Sequence, residues 1–497
     1  MADEEKPAEK SDYEAPAGAE TRARWTGGET PLDYTATAKW VVLRKKEKPA
    51  AEIFSVSYVA DGGDETRPVA FVFNGGPGAS SAYLHMGAVG PQRVAFPADG
   101  TLPGLPPQLV ENESSWLAFA DLVFVDPVGT GFSRIVEEEP KKDEKQGENG
   151  KSDANEYFGQ KRDLESLCEF MGRWLSENDR WGSPVFIAGE SYGGYRVGRL
   201  VRLLQEEAGI GLNGAILISP ALELTGLSGD DYGVVQWVDL LPTMAAGAAF
   251  HGRSRAFAAG TPLADVLAGA EEFASGDYAE FLIRGASLDA GERERILDRL
   301  AALLGLPVEF VTRAEGRISP TVFARELLRD ERKVVGHYDV TITAADPFPD
   351  RPDYEAPDPT LSGTTPAYTA AVNRRLRSDI GVRTDREYRL LSLEVNKAWK
   401  EDTERHFFAP PEGATDSFRY GMALNPHLRA LITHGRYDMA TPYYTTDRLR
   451  NLMRLDPDTA ERLIVRHFEG GHMFYAWEES RHAFTAAIRE FVAGALA

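Results

Sequence analysis

Short, continuous apolar runs alternate with amphipathic segments over the first half of the chain. Runs of this length are typical of buried β-strands, and the segments between them repeat apolar residues with a helical period. The predicted strands cover 51–60, 68–73, 121–126, 184–189 and 214–219. The predicted helices among them cover 155–175 and 195–209. Apolar strands separated by helices indicate a mostly parallel sheet that is covered on both faces.

The same pattern returns near the C-terminal end, with predicted strands at 429–435 and 461–470 and a closing helix. Between residues 223 and 395 the pattern becomes mostly helical. We therefore predict an α/β core built from residues 26–222 and 396–497, with 223–395 as a mostly helical insertion, or cap, packed over the sheet.

Two polar segments are predicted to lie outside this core. Residues 1–25 are acidic and rich in Ala and Pro, which predicts a disordered tail. Residues 137–153 are dominated by charged residues and predict a solvated, mobile loop.

The net charge of the chain limits the kinds of partner that it can bind. The 497-residue chain has 77 acidic and 55 basic residues and a formal net charge of -22. Such a surface repels phosphate backbones and anionic headgroups, so neither nucleic acid nor a membrane surface is expected as a partner. The single cysteine, Cys168, excludes an intramolecular disulfide and is expected to be a small buried core residue.

The N-terminal segment has neither the basic start nor the apolar core of a signal peptide. A cytoplasmic location is therefore expected, or a periplasmic or secreted one if a leader was removed before Met1. No run approaches the roughly 20 apolar residues of a membrane span.

The strongest chemical signal is PVFIAGESYGGY, in which a predicted strand meets Gly-x-Ser-x-Gly and a predicted helix follows. This strand–turn–helix context is that of a nucleophile elbow in an α/β hydrolase, which makes Ser191 the candidate nucleophile. The flanking glycines suit a tight turn that leaves no room for a Cβ atom.

A serine hydroxyl needs a positioned base, and in this fold an acid and a histidine follow the serine in chain order. Asp438 and His472 come in that order, each in a loop after a predicted strand. We therefore predict His472 as the general base and Asp438 as the residue that orients it. Among the competing histidines, His467 is expected in the core, whereas His434 could line the site and His85 lies near a glycine-rich loop.

That glycine-rich loop, FNGGPGASS, ends an early predicted strand. A serine hydrolase needs backbone N–H groups aimed at the oxyanion, and we assign these donors to Gly76 and Tyr192. A phosphate-binding loop is the alternative, but Pro77 removes a donor and no Lys-Ser/Thr follows. No His-Glu-x-x-His spacing occurs, so a metal-dependent hydrolase is not expected. The serine mechanism itself implies no cofactor.

With these pieces assembled, the sequence resembles the serine carboxypeptidase family. The segments that carry the resemblance are FNGGPGASS (73–81), ENESSWLAFADLVFVDPVGTGFS (111–133), GESYGG (189–194), GRYDMATP (435–442) and GGHM (470–473). The resemblance implies an α/β-hydrolase fold with a helical insertion, and an enzyme that removes C-terminal residues from peptides. It also implies that Asn74 and Glu190 bind the terminal carboxylate, since a protonated carboxyl donates a hydrogen bond to a carboxylate.

Two positions depart from the family pattern. Val72 occupies the position of a tryptophan, and Ala88 that of a second glutamic acid. The lone cysteine suggests a bacterial-type branch. Three functions therefore stay open: a serine carboxypeptidase acting on peptides; an esterase, amidase or acyltransferase acting on a small acyl substrate with the same triad; and a non-catalytic binding protein.

Overall fold

The computed structural model describes residues 13–136, 155–224, 227, 230–351, 356–400 and 413–497. The predicted loop at 137–153 lies outside the described residues. The described strands are β1 (Ala19–Trp25), β2 (Leu32–Lys45), β3 (Lys48–Ala60), β4 (Val69–Phe73), β5 (Gln92–Val94), β6 (Leu109–Glu111), β7 (Asp121–Asp126), β8 (Arg134–Ile135), β9 (Val185–Glu190), β10 (Gly214–Ile218), β11 (Lys333–Val335), β12 (Thr343–Ala345), β13 (Arg429–Gly435) and β14 (Leu463–Phe468).

Ten of these strands form one sheet in the order β1-β2-β3-β7-β4-β9-β10-β13-β14, with β8 paired to β3. The strands from β7 to β14 run parallel to one another, whereas β1, β2 and β3 add an antiparallel edge. The predicted fold, an α/β hydrolase with a mostly parallel sheet, is confirmed. All the strands that the apolar runs predicted are present, with ends shifted by up to three residues.

The described α-helices are α1 (Ala82–Leu84), α2 (Gln160–Glu177), α3 (Tyr192–Glu206), α4 (Val235–Phe250), α5 (Leu263–Phe273), α6 (Ala279–Arg284), α7 (Ala290–Leu304), α8 (Val308–Arg313), α9 (Pro320–Glu326), α10 (Pro359–Asn373), α11 (Leu393–Ala398), α12 (Ala414–Leu424), α13 (Tyr443–Leu452), α14 (Pro457–Glu461) and α15 (Glu478–Leu496). Among these described helices, none combines the length and the apolar character that crossing a bilayer requires.

Alternate side chains of β4 enter the cores on the two faces of the sheet, as the pleat requires. Phe71 packs edge-on against Trp174 of α2, with ring centroids 5.5 Å apart. Val72 belongs to the opposite core, which also contains Phe484 of α15. Cys168 is free and buried between α2 and the sheet, as the sequence predicted.

The segment between β10 and β13 contains α4 to α12, and α4 to α9 enclose an apolar core of their own. That third core extends to Tyr437 and Met439, the two neighbours of Asp438. The insertion therefore packs directly on a loop at the carboxyl end of the sheet, where ligands bind in folds of this class.

The prediction of a disordered tail over residues 1–25 is wrong for its second half. Ala19–Trp25 forms β1, which pairs antiparallel with β2 along its whole length. Trp25 is buried, and its indole N–H donates to the carbonyl of Asn112 at 2.9 Å. Pairing and burial of this tryptophan order a segment whose composition alone indicated disorder; residues 1–12 lie outside the described chain.

Candidate active site

The candidate nucleophile lies on a strained turn between β9 and α3. Ser191 has φ 62° and ψ -123°, a conformation that L-residues rarely adopt and that costs on the order of 1–3 kcal/mol. Hydrogen bonds fix its backbone on both sides. Its N–H donates to the carbonyl of Ile218 at 2.9 Å, and its carbonyl accepts from the N–H of Ala221 at 3.1 Å. A Cβ at Gly189 would lie 2.1 Å from the carbonyl oxygen of Gly193, so the turn requires glycine there.

The two other predicted triad residues lie in adjoining loops after β13 and β14. Nδ1 of His472 lies 2.6 Å from Oδ2 of Asp438, and both side chains are buried. The second oxygen of Asp438 accepts from the N–H groups of Ala440 and Thr441 at 2.8 and 3.1 Å. Burial by itself lowers the pKa of His472, but the adjacent Asp438 carboxylate outweighs it and the pKa is raised.

The end of β10 contacts the chain segments of both Ser191 and His472. Ser219, at the end of β10, donates from its hydroxyl to the carbonyl of His472 at 2.9 Å. Within the described residues, the half-buried Ser191 side chain makes no hydrogen bond to His472. Such bonds are often long in the absence of substrate, so this arrangement is compatible with a nucleophile–base pair.

Thr441 is a member of the site that sequence reasoning missed. Its hydroxyl oxygen lies 2.7 Å from Oδ2 of Asp438, 3.1 Å from Nδ1 of His472 and 2.9 Å from the carbonyl oxygen of Ser219. The sequence feature that could have indicated it is a threonine three residues after an aspartate, because such side chains often hydrogen-bond within one turn.

The glycine-rich loop after β4 abuts the start of α3. A Cβ at Gly75 would lie 2.4 Å from the backbone nitrogen of Tyr192, so the two predicted oxyanion segments are in contact. The first N–H groups of a helix have no intrahelical acceptor, and they favour negative charge. Gly76 has φ 100°, which turns the loop at this point.

A buried ion pair fixes this loop. Arg196 of α3 donates to both carboxylate oxygens of Asp163 at 2.8 and 3.1 Å, and to the carbonyl of Asn74 at 2.7 Å. Both charged side chains are almost fully buried. The pair therefore couples α2, α3 and the candidate oxyanion loop.

Next to the nucleophile, Glu190 is buried in a hydrogen-bonded group. The Asn74 amide donates to Oε2 of Glu190, and the Tyr475 hydroxyl lies 2.9 and 3.1 Å from its two oxygens. The amide oxygen of Asn74 accepts from the N–H of Leu84 at 3.0 Å. Burial raises the pKa of Glu190 to about 7, although His472, Tyr475 and Asn74 lower it. Tyr475 is a second site residue that sequence reasoning missed.

Both positions that depart from the family pattern are apolar and buried. Val72 is fully buried in β4, and Ala88 is 1% exposed. The carbonyl of Ala88 accepts from the Asn112 amide at 2.7 Å. The structure therefore brings Asn74 and Glu190 together, and supplies no second carboxyl at residue 88.

A short segment of the insertion, residues 337–340, bonds to both loops of the candidate triad. On one side, the N–H of Val340 donates to the backbone carbonyl of Tyr437 at 3.0 Å, and the N–H of Met439 donates to that of His337 at 3.1 Å. On the other, His472 N–H donates to the carbonyl of Tyr338 at 2.6 Å. Tyr338 also packs edge-on against the His472 ring, with centroids 5.2 Å apart.

Asp339 completes this segment. Its Oδ2 accepts from the N–H of Gly471 at 2.9 Å, and its Oδ1 accepts from Thr341. Burial raises the pKa of Asp339 to about 6. The sequence carried no local signal for this residue, because its partner is 132 positions away.

The competing histidines have other surroundings. His434 is fully buried, contacts the Thr446 hydroxyl at 2.7 Å, and has a pKa lowered to about 3 by burial. His85 is likewise buried, contacts the Tyr58 hydroxyl at 2.7 Å, and has a pKa lowered to about 3 by burial. His467 is half-buried on the edge strand β14, 3.3 Å from the Asp447 carboxylate, and so lies outside the core in which it was expected.

A small crevice, with room for about one water molecule and partly open to solvent, lies between the insertion and the loop of His472. Met473 and Ala476 line it from the core, and Asp339, Thr364 and Tyr368 line it from the insertion.

Comparison with known proteins supports the family resemblance. Residues 31–227 match the family described as serine carboxypeptidase, which confirms the resemblance found in the sequence. Serine carboxypeptidase-like 13 of Arabidopsis thaliana is 29% identical over 197 residues, which is 39% of this chain and 41% of that protein. A pheromone-processing carboxypeptidase of Sclerotinia sclerotiorum is 30% identical over 140 residues, 27% of this chain and 18% of that protein.

Among solved structures, a prohormone-processing carboxypeptidase from Saccharomyces cerevisiae superposes with a TM-score of 0.50 at 15% identity, covering 93% of this chain and 92% of the other. That likeness shows the fold. The sequence matches span less than half of the curated relatives, and the family match includes Ser191 but ends before Asp438 and His472. These relatives come from a plant and a fungus, so a bacterial-type branch stays a prediction.

Proposed function

We propose that this chain, whose residues 31–227 match the serine carboxypeptidase family, is a serine-type carboxypeptidase that hydrolyses the last peptide bond of its substrates. The observation that carries the proposal is the buried group of Asn74, Glu190 and Tyr475 directly beside Ser191. A carboxyl with a pKa of about 7 is protonated at acidic pH, and it can then donate a hydrogen bond to a terminal carboxylate.

In the acylation step, Ser191 attacks the carbonyl carbon while His472 accepts the hydroxyl proton. Asp438 keeps the other ring nitrogen protonated and stabilises the imidazolium that forms. The N–H groups of Gly76 and Tyr192 donate to the oxyanion. His472 then returns the proton to the departing amino group, and the C–N bond breaks.

Deacylation uses the same groups in reverse order. A water molecule loses a proton to His472 and attacks the acyl-enzyme, and the intermediate collapses as Ser191 regains its proton. No residue outside the proposed triad has to gain or lose a proton in either step.

The test compares an N-blocked dipeptide as free acid, amide and ethyl ester between pH 4 and pH 8. We expect the free acid to be cleaved with the lowest KM, most strongly where Glu190 is protonated. Equal cleavage of free acid and amide over the whole range would contradict the proposed specificity. A fluorophosphonate probe provides a separate test of the nucleophile, since it labels an activated serine.

The matched variants are Ser191→Ala and Ser275→Ala, the latter at an exposed serine of the insertion. We expect Ser191→Ala to abolish labelling and to lower kcat by on the order of a million-fold, by analogy with other serine hydrolases. Ser275→Ala should leave both unchanged. Absence of labelling in the wild-type protein would favour a non-catalytic binding protein.

A second candidate keeps the chemistry and changes the substrate. The missing carboxyl at Ala88 favours an esterase, amidase or acyltransferase that acts on a small acyl compound. Turnover of the ethyl ester with a far higher kcat/KM than the free acid, also at acidic pH where Glu190 is protonated, would support this candidate over the first.

A further inference from the structure

Two buried tyrosine hydroxyls near the candidate active site have no hydrogen-bond partner among the described residues. They belong to Tyr83 and Tyr368, whose residues are 5% and 0% exposed. The Thr365 side chain lies next to the Tyr83 hydroxyl, outside hydrogen-bonding geometry. Buried polar groups without partners are rare because they cost free energy, so such a pair points to a ligand that would satisfy it.

The two tyrosines meet across the boundary between core and insertion. Tyr83 lies in α1, just after the glycine-rich loop, and Tyr368 lies in α10 of the insertion. Their rings pack edge-to-face with centroids 5.1 Å apart. Tyr368 also lines the crevice beside the loop of His472.

Their position relative to the catalytic groups follows from the neighbouring residues. Both hydroxyls are close enough to Glu190 for its charge to raise their pKa, after the larger effect of burial. Tyr83 is also close to Tyr338, whose ring contacts His472. The tyrosine pair therefore lies in the same region as Glu190 and the candidate base.

The space beside Tyr368 is next to the position where the second glutamic acid is missing. A Cβ at Gly87 would lie 2.7 Å from the Tyr368 hydroxyl and 2.8 Å from the ring of Tyr475. Gly87 immediately precedes Ala88 in the chain. The Tyr368 hydroxyl thus lies beside the chain segment from which a carboxyl side chain is absent.

We propose that the hydroxyls of Tyr83 and Tyr368 are a donor pair that binds the terminal carboxylate of a peptide, in place of the carboxyl side chain absent at Ala88. This inference rests on the proposed function and names the substrate class of the same site. A carboxylate has two oxygens that accept several hydrogen bonds, and bonds to a charged acceptor are stronger than those to a neutral one.

Phenols suit this role in a site that already contains Glu190. Burial raises the pKa of both tyrosines above the usual range, so both stay neutral and keep their protons when the carboxylate arrives. Asn74 and Tyr475, by contrast, already donate to Glu190. Tyr475 therefore has no hydrogen left for an incoming carboxylate and Asn74 has one, so further donors would strengthen its binding.

The test uses the full chain carrying Tyr83→Phe, Tyr368→Phe or both, with an N-blocked dipeptide as free acid and as amide. We expect each single change to raise KM for the free acid by roughly ten-fold or more, because a hydrogen bond to a charged group is lost. We expect kcat to change by less than about three-fold, and KM for the amide to change little.

Thermal unfolding gives a readout that separates binding from folding. Removing an unpaired buried hydroxyl leaves no partner unsatisfied, so Tm should stay the same or rise. Tyr278→Phe is the matched control, since it removes a buried hydroxyl of the insertion that donates to the carbonyl of Gly316 at 2.8 Å. That control should lower Tm and leave both KM values unchanged.

A binding measurement keeps the inference testable whatever the activity. In a Ser191→Ala background, calorimetric titration with the free-acid dipeptide should show a Kd at least ten-fold weaker for the double tyrosine variant. An unchanged Kd, or an unchanged acid-to-amide ratio of KM, would overturn the donor pair and leave the proposed function intact. Loss of the proposed function would instead appear as a wild-type protein without preference for the free acid.

Discussion

Asp339 of the insertion accepts a hydrogen bond from the backbone N–H of Gly471, the residue before His472, at 2.9 Å. The insertion therefore contributes to the position of the candidate base through its own carboxylate. Because residues 337–340 also bond to the neighbours of Asp438, one segment of the insertion connects the two loops of the candidate triad.

Asp339→Ala is expected to lower kcat by on the order of 10–100-fold with a smaller change in KM, because misplacing a catalytic group slows the chemical step. Asp339→Asn keeps one acceptor oxygen but puts an amide N–H opposite another N–H, so an intermediate loss is expected. The measurement is kcat and KM on an ester that lacks a terminal carboxylate. Asp277→Ala, at an exposed ion pair of the insertion, is the control. A kcat equal to that of the control would show that Gly471 needs no such acceptor.

The pH dependence is expected to differ between the two substrate types. The pKa of His472 is raised and the neutral form is the base, so activity on the ester should rise through that pKa and then stay constant. Glu190 is protonated below a pKa of about 7, and in the proposed function it is this form that binds the free acid. Activity on the free acid should therefore rise with pH, reach a maximum and fall above about pH 7.

Profiles of kcat/KM for both substrates test this pH prediction, with Glu190→Gln as the diagnostic variant. Gln stays neutral at every pH, so the fall at high pH should disappear for the free acid. If that fall persists in Glu190→Gln, another group controls carboxylate binding.

Gly87→Ala is expected to damage the site by overpacking. The new Cβ would lie within 3 Å of both Tyr368 and Tyr475, which are buried and cannot move freely. A loss of about 1–3 kcal/mol in the free energy of unfolding is expected, together with a higher KM for the free acid. Gly172→Ala in α2 is the control, because nothing lies within 4 Å of its Cβ. That control should stabilise by about 0.5–1 kcal/mol, since alanine is the better helix former.

Asp163→Ala is expected to destabilise by about 3–5 kcal/mol, because it leaves the Arg196 charge buried without its partner. Since Arg196 also donates to Asn74, the candidate oxyanion loop should loosen and kcat should fall. Denaturant unfolding measures the first effect. At the exposed pair of Asp277 and Arg295, replacing Asp277 by Ala should change the stability little, because solvent already screens that pair. Equal costs at both sites would mean that solvent reaches the buried pair.

Sequence reasoning predicted the features that neighbouring residues determine. One short segment of sequence contains β9, the glycines of the turn at Ser191 and the helix that follows. Its residue pattern was therefore enough to predict all three. The order of Ser191, Asp438 and His472 along the chain follows from the order of strands in this fold, and it allowed the triad to be predicted as a set.

Other features depend on contacts between distant parts of the chain. The β1 strand is ordered by pairing with β2 and by burial of Trp25, whereas composition alone predicted disorder. Along β2, buried positions alternate with more exposed ones. The residues at these positions were the local signal of a strand, with which the β1 segment could pair.

The candidate site also combines features that the sequence determines locally with features that depend on distant contacts. By itself, the sequence determined which residues have the chemistry of a nucleophile, a base and a carboxyl donor, because chemistry resides in the side chain. Only the tertiary structure decided that Asp339 and Tyr475 hold those groups, and that Tyr368 of the insertion reaches the space beside Gly87. The reason is physical: hydrogen bonding and burial act through space, between residues that no local pattern connects.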